Sequence, residues 1–278
     1  MLANLNDVLF PAQENKYAVG LFNTTNLELA RGVIAAAEEL NAPVIIGTAE
    51  ILLPYGPLDD LAFLLLPMAE RAKVPVVVHL DHGLKEETCK RALSLGFKSI
   101  MYDCSTDDYE TNVRKVAEMA ELAHAYGATI EAELGHVGDN DGSNTDPSLF
   151  YTQPDQARDF IERTGADALA IAVGTAHGAY KLPPKLDFKR IEEIAAAIDT
   201  PLVLHGGSGL TDDDFRQAIS KGICKMNIFT DINVAAARAI SEHYAPGAGL
   251  TDLVNYAVEA VKAEVEKKMR LFGCDGKA

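Results

Sequence analysis

Three histidines stand where apolar runs give way to polar residues. His82 follows Leu80-Asp81, His177 follows Gly174-Thr175-Ala176, and His205 precedes Gly206-Gly207-Ser208-Gly209. Neutral imidazoles suit zinc, and three of them leave one coordination position open, as catalytic rather than structural sites do. Carboxylates stand at matching places: Asp81 beside His82, Asp103 just past Ser99–Tyr102, and Glu133 at the end of Thr129–Glu133. Asp103 and Glu133 are candidates for alternative metal ligands, for partners of the imidazole N–H groups, or for buried polar residues bonded to loops. Asp81 adjoins a ligand and cannot easily bind the same ion, so it is available as acid or base. A lone histidine is usually a satisfied core or surface residue. Three at converging strand ends, with carboxylates nearby, reverse that expectation. His79, inside its run, and His124 and His243, in helical patterns, read as structural, while His136 has no assigned role.

A second feature lies beside His205. Gly206-Gly207-Ser208-Gly209 lets backbone N–H groups approach a ligand closely, and Asn227-Ile228-Phe229-Thr230 opens a helical pattern. Together they form a candidate anion site. A metal, a phosphate site and a free carboxylate point to chemistry next to a carbonyl, in which the ion polarises a ketone and stabilises an enediolate.

The elements that must carry these residues alternate regularly. Eight apolar runs read as strands: Tyr17–Phe22, Pro43–Gly47, Pro75–Leu80, Ser99–Tyr102, Thr129–Glu133, Ala168–Val173, Pro201–His205 and Ile223–Ile228. Helical patterns fill the gaps at Leu27–Leu40, Leu58–Ala72, Glu86–Leu95, Tyr109–Tyr126, Asp155–Arg163, Phe188–Ile198, Asp212–Ser220 and Thr230–His243, and Leu250–Leu271 adds a closing helix. Eight strands each followed by a helix predict a parallel (β/α)8 TIM barrel with an extra C-terminal helix. The 278 residues fit one such domain spanning 1–278. An open doubly wound sheet is disfavoured, because no Gly-x-Gly-x-x-Gly follows the first strand. In a barrel the active site lies at the C-terminal strand ends, and a phosphate site after the last two strands recurs there. The polar, glycine-rich segment 135–148 is expected to be a functional loop.

Composition narrows the function further. A net charge of −16 argues against nucleic acid or an anionic membrane as partner, since both need a basic surface. It does not exclude a small phosphorylated substrate held by backbone N–H groups and a metal. The apolar runs are too short to span a bilayer, and Met1–Asp7 lacks a basic region with an apolar stretch. A cytoplasmic location is expected. Cys89, Cys104, Cys224 and Cys274 form no Cys-x-x-Cys pair and read as reduced thiols.

These motifs resemble the class II, zinc-dependent ketose-bisphosphate aldolases of the fructose- and tagatose-bisphosphate type. The resemblance runs from Tyr17–Asn23 through Leu80-Asp81-His82, Glu131–Gly135, Gly174–Gly178, Val203–Gly209 and Lys225–Ile228 to Lys268–Gly273. It implies aldol cleavage to dihydroxyacetone phosphate and an aldehyde, with zinc on His82, His177 and His205. Asp81 would move the proton of the C4 oxygen, and Asp103 and Glu133 match positions holding the metal in an alternative location. Gly178, Gly206, Gly207, Ser208, Asn227, Ile228, Phe229 and Thr230 match the dihydroxyacetone-phosphate site, and Asn23 is grouped with the substrate-binding residues. A monovalent cation, Na+ or K+, near the phosphate is also implied, as is a homodimer or homotetramer.

Two positions depart from the family pattern. The mobile-loop glutamate that moves the C3 proton is replaced by Asp141, with Asp139 nearby. The arginine that binds a distal phosphate before the final helix is missing, and Gly249-Leu250-Thr251 stands there. Loss of a guanidinium removes a bidentate phosphate clamp, so the aldehyde half is expected to lack a phosphate or to use another cation such as Lys181. Competing readings are a Schiff-base aldolase using Lys225, two residues before Asn227, and a non-catalytic accessory barrel subunit. A zinc hydrolase is disfavoured, because the first strand offers only Asn23 where such barrels carry His-x-His.

Overall fold

Each of the eight apolar runs becomes a parallel strand. The computed structural model describes residues 1–137, 151–176 and 184–278. A two-residue strand, β1 (Leu2–Ala3), and a helix, α1 (Leu5–Asn15), come first. The barrel strands are β2 (Val19–Asn23), β3 (Val44–Ala49), β4 (Val76–Gly83), β5 (Ser99–Tyr102), β6 (Thr129–Leu134), β7 (Ala168–Ile171), β8 (Leu202–Leu204) and β9 (Ile223–Ile228). Between them lie α2 (Leu27–Glu39), α3 (Leu58–Arg71), α4 (Glu86–Leu95), α5 (Tyr109–Ala125), α6 (Pro154–Thr164), α7 (Phe188–Ala197) and α8 (Asp212–Ser220). α9 (Thr230–His243) follows β9, and α10 (Leu250–Phe272) is the extra closing helix.

The sheet order is β1-β4-β3-β2-β9-β8-β7-β6-β5, and pairing of β4 with β5 closes the barrel. Nearly every strand residue is buried, as parallel strands covered by helices require. β1 adds to β4 where β5 does not reach. Leu2 and Ala3 pair with Val76 and Val77, whereas β5 pairs with β4 only from His79 onward.

α1 and β1 were not expected from the sequence. Asn4 and Asp7 form a capping box, and Leu5, Val8, Leu9 and Ala12 give the helix a buried stripe. β7 ends two residues earlier than the predicted Val173. Ala172 and Val173 bond instead to Thr152 and Asp187, which lie outside the sheet.

α10 ties the barrel's opening to its end. Ala18 N–H donates to Phe272 O at 3.0 Å, and the Phe272 ring meets Phe215 at 5.2 Å between centroids. Lys268 of α10 pairs with Asp231 of α9 at 2.6 Å. The seam between β2 and β9, from which Asn23 and Asn227 project, is thereby fixed.

Candidate active site

Strand alternation sends His79 and Asp81 to the same face of β4, and both are buried. His82 should then face away. It does not, because its backbone takes φ 41, a left-handed value rare for a residue with a side chain. The register of β4 against β5 shifts between Leu80 and Gly83 at the same place. This irregularity turns two consecutive residues, Asp81 and His82, into one site.

Asp81 is held on both oxygens. Asn23 Nδ2 donates to Oδ2 at 2.7 Å and Asn227 Nδ2 to Oδ1 at 2.9 Å. Lys225 Nζ donates to Asn227 Oδ1 at 2.8 Å, which leaves the Asn227 amide NH2 facing Asp81. Lys225 Nζ also lies 2.8 Å from Glu131 Oε2, with both side chains fully buried. The other Glu131 oxygen contacts His205 Nε2 at 2.8 Å. Its remaining nitrogen, Nδ1, faces His82 Nε2 at 2.7 Å, while His82 Nδ1 bonds Asp103 at 2.8 Å.

Charge follows this geometry. Burial opposes ionisation of Asp81, but His82, His205, Lys225 and His79 outweigh it and hold the carboxyl well below its ordinary range. Burial likewise opposes the charged form of His82, yet Asp81, Asp103 and Glu133 push its pKa up to about 10. Glu133 goes the other way. Burial first and Asp103 second raise its carboxyl to about 8.

The donor set fits a divalent cation. Ligand-type atoms of Asp81, His82 and His205 lie within 4.8 Å of one another, as do those of His82, Asp103 and Glu133. Glu133 Oε2 is buried with no hydrogen-bond partner among the described residues and lies 3.8 Å from His205 Nδ1. The outward nitrogens of both histidines meet carboxylates, the arrangement that fixes a ligand's tautomer and orientation. Asp103 thus touches His82 directly.

Asn23, Asp81, His82, Asp103 and Asn227 open into a cavity of about 510 Å3 at the C-terminal strand ends, with Glu131, Glu133, His205 and Lys225 buried beneath them. Gly206, Gly207, Ser208, Phe229 and Thr230 line one side. Gly206 has φ +66, and an added Cβ would stand 2.3 Å from Ala176 O; at Gly207 it would stand 2.9 Å from Asn227 O. Only glycine lets the chain pass here. α9 starts beside this turn without a side-chain cap, so its first N–H groups suit an anion.

The structure brings together Asn23, Asp81, His82, Asp103, Glu133, His205 and Asn227 with the glycine turn. His177, Gly178, Lys181, Asp139 and Asp141 lie outside the described residues. Sequence reasoning gave Glu131 no role. The signal was its spacing, because Glu131 and Glu133 must share one face of β6. His136 does reach the cavity, with Nδ1 3.2 Å from Ser105 Oγ.

At the mouth of a closed parallel β/α barrel, a donor set that fits a divalent cation thus stands beside a glycine turn that suits an anion. Residues 3–277 match the family model described as fructose-bisphosphate aldolase class-II, and the chain belongs to that family. It is 40% identical to a probable fructose-bisphosphate aldolase of Bacillus subtilis, over 100% of this chain and 99% of the relative. A fructose-bisphosphate aldolase of Geobacillus stearothermophilus is also 40% identical, with the same coverage. The crystal structure of the YdjI aldolase from Escherichia coli K12 superposes with a TM-score of 0.90 at 39% identity, covering all of both chains. The chain is a class II aldolase, a carbon–carbon lyase acting on phosphorylated sugars.

Proposed function

We propose that this chain catalyses the reversible, zinc-dependent aldol cleavage of a ketose 1-phosphate or ketose 1,6-bisphosphate to dihydroxyacetone phosphate and an aldehyde. One observation carries the reading: Asp81 and His82 line the same cavity as the glycine turn, with the buried His205 directly against His82, Nδ1 to Nε2 at 2.7 Å. His82 and His205, with His177 from the sequence pattern, would hold the ion, and Asp103 and Glu133 would support an alternative position. A bound divalent ion supplies positive charge at the ketose carbonyl oxygen.

The chain's own residues do the rest. Gly206, Gly207, Ser208 and the start of α9, from Asn227 through Ile228 and Phe229 to Thr230, bind the phosphate, with Gly178 added by resemblance and Na+ or K+ alongside. Asp81 takes the proton of the C4 hydroxyl as the C3–C4 bond breaks, and C4 leaves as an aldehyde. The bonding electrons pass to the three-carbon half, whose C3 is then protonated. Asp141, by resemblance, returns that proton. Asn23 and Asn227 aim Asp81, while His82, His205, Lys225 and His79 keep it ionised.

Lys225 is a poor Schiff-base nucleophile here, because Glu131 and Asn227 already hold its buried ammonium. An accessory role would leave the three-histidine site without purpose. The resemblance and the closing helix support a homodimer or homotetramer, and a cytoplasmic location is kept as the default reading of the sequence. No described helix is long and apolar enough to cross a membrane.

The test is metal content together with activity. Purified chain should carry zinc, lose ketose-phosphate cleavage on chelation, and regain it with zinc. An active, metal-free His82→Ala variant would sink the proposal.

A further inference from the structure

The cavity has a second wall, away from the glycine turn. Ala49 ends β3, Ile51 and Leu52 form the 3-10 turn after it, and Leu84 follows β4. Ile51 is 74% and Leu84 56% exposed, so large apolar side chains meet solvent inside the cavity. With the three-carbon phosphate on the glycine turn and Asp81 at the C4 oxygen, the remainder of the ketose must run toward this wall.

Among the described residues, this wall offers no free anion donors. The backbone N–H groups of Leu84 and Lys85, at the entry to α4, are the natural phosphate cradle on this side. Both are taken by Glu50 Oε2, at 2.7 and 3.0 Å. The Lys85 ammonium lies 3.6 Å from the other Glu50 oxygen, so its charge is already matched. No lysine or arginine lines the cavity among the described residues, whereas Asp81 and Asp103 do. A second phosphate placed here would lose its water, meet apolar carbon and face carboxylates.

We infer that Ala49, Ile51, Leu52 and Leu84 form an aldehyde subsite for an uncharged, carbon-ended aldehyde, so that the substrate is a ketose 1-phosphate whose far end carries no phosphate. The inference rests on the aldol-cleavage reading above. Glu50 is a positioning residue, binding the turn after β3 to the loop after β4.

The experiment runs in the condensation direction with zinc-loaded enzyme. Exchange of a proton on the hydroxymethyl carbon of dihydroxyacetone phosphate, the carbon that becomes C3 of the ketose, with deuterated water is measured first, without aldehyde. Absence of exchange overturns the aldolase reading and this inference together. Where exchange occurs, kcat/KM is compared for lactaldehyde, which ends in a methyl group, and glyceraldehyde 3-phosphate. Lactaldehyde should be favoured by about 10-fold or more, the discrimination one apolar group gives in a fitted pocket. Ile51→Lys and Leu84→Lys, at exposed positions and checked by thermal melting, should each shift that ratio toward the phosphorylated aldehyde by about 10-fold. A preference for glyceraldehyde 3-phosphate in the unaltered chain overturns the inference, as does a ratio that neither folded variant moves.

Discussion

Lys225 Nζ and Glu131 Oε2 stand 2.8 Å apart in the floor of the barrel, with neither side chain exposed. Removing one partner of such a pair leaves the other charge buried alone, at a cost of about 3–5 kcal/mol. Lys225→Met should lower urea stability by that order, and adding Glu131→Gln should recover much of the loss. A fully additive double variant would show that the pair is not coupled. Borohydride with substrate should leave the unaltered enzyme active, since this lysine is not free to condense with a ketone.

Asp81 lies between two amide donors, Asn23 and Asn227. Asp81→Asn keeps the shape but puts an NH2 against one of those donors and removes the base. Cleavage should fall about 10²–10⁴-fold in kcat, the usual contribution of a positioned acid or base. Bound zinc and dihydroxyacetone-phosphate proton exchange should persist, because neither needs a proton moved at C4. Loss of exchange equal to the loss of cleavage would show that Asp81 serves the first half of the reaction as well.

Much of this was legible in the sequence, for identifiable reasons. α4, α8 and α9 have the predicted bounds, Glu86–Leu95, Asp212–Ser220 and Thr230–His243. Thr211 caps α8 with a capping box, so local chemistry fixed where it begins. Period alone told helix from strand elsewhere. α1 escaped notice because Pro11 interrupts its pattern, although the Asn4–Asp7 box was there to be read. The inward turn of His82 was not legible, since nothing in Asp81-His82-Gly83 demands a left-handed histidine. Glu131 looked like one more strand-end carboxylate. Its link to Lys225 and His205 joins three strands, and such pairing appears only once the barrel has closed.

The glycine turn makes a steric prediction. Gly207→Ala would bring a Cβ to 2.9 Å from Asn227 O, a gap the turn can open only by moving. The barrel should still fold, and KM for the ketose phosphate should rise about 10-fold or more, matching the loss of well-placed backbone donors. Gly206→Ala is harsher. It combines φ +66 with a 2.3 Å approach to Ala176 O, and should lower the melting temperature as well. An unchanged KM in a folded Gly207→Ala enzyme would move the phosphate elsewhere.

The four thiols give a test of packing by pH. All are buried, and burial pushes Cys104 and Cys224 up to about 11 and Cys274 to about 12. An unfolded thiol ionises near 8.5, so above that pH the unfolded chain releases protons that the folded chain keeps. The raised folded value therefore favours the native state below about pH 8.5 and loses that advantage as pH climbs toward 11 and 12. The thiols should contribute no slope to stability near neutrality and a falling one through the alkaline range. At pH 8 a disulfide reagent should label none of them rapidly in the native chain and all of them in guanidinium, because the thiolate is the reactive form and burial suppresses it. Rapid labelling of Cys104 in the folded state would mean that the barrel mouth opens beyond what its packing shows.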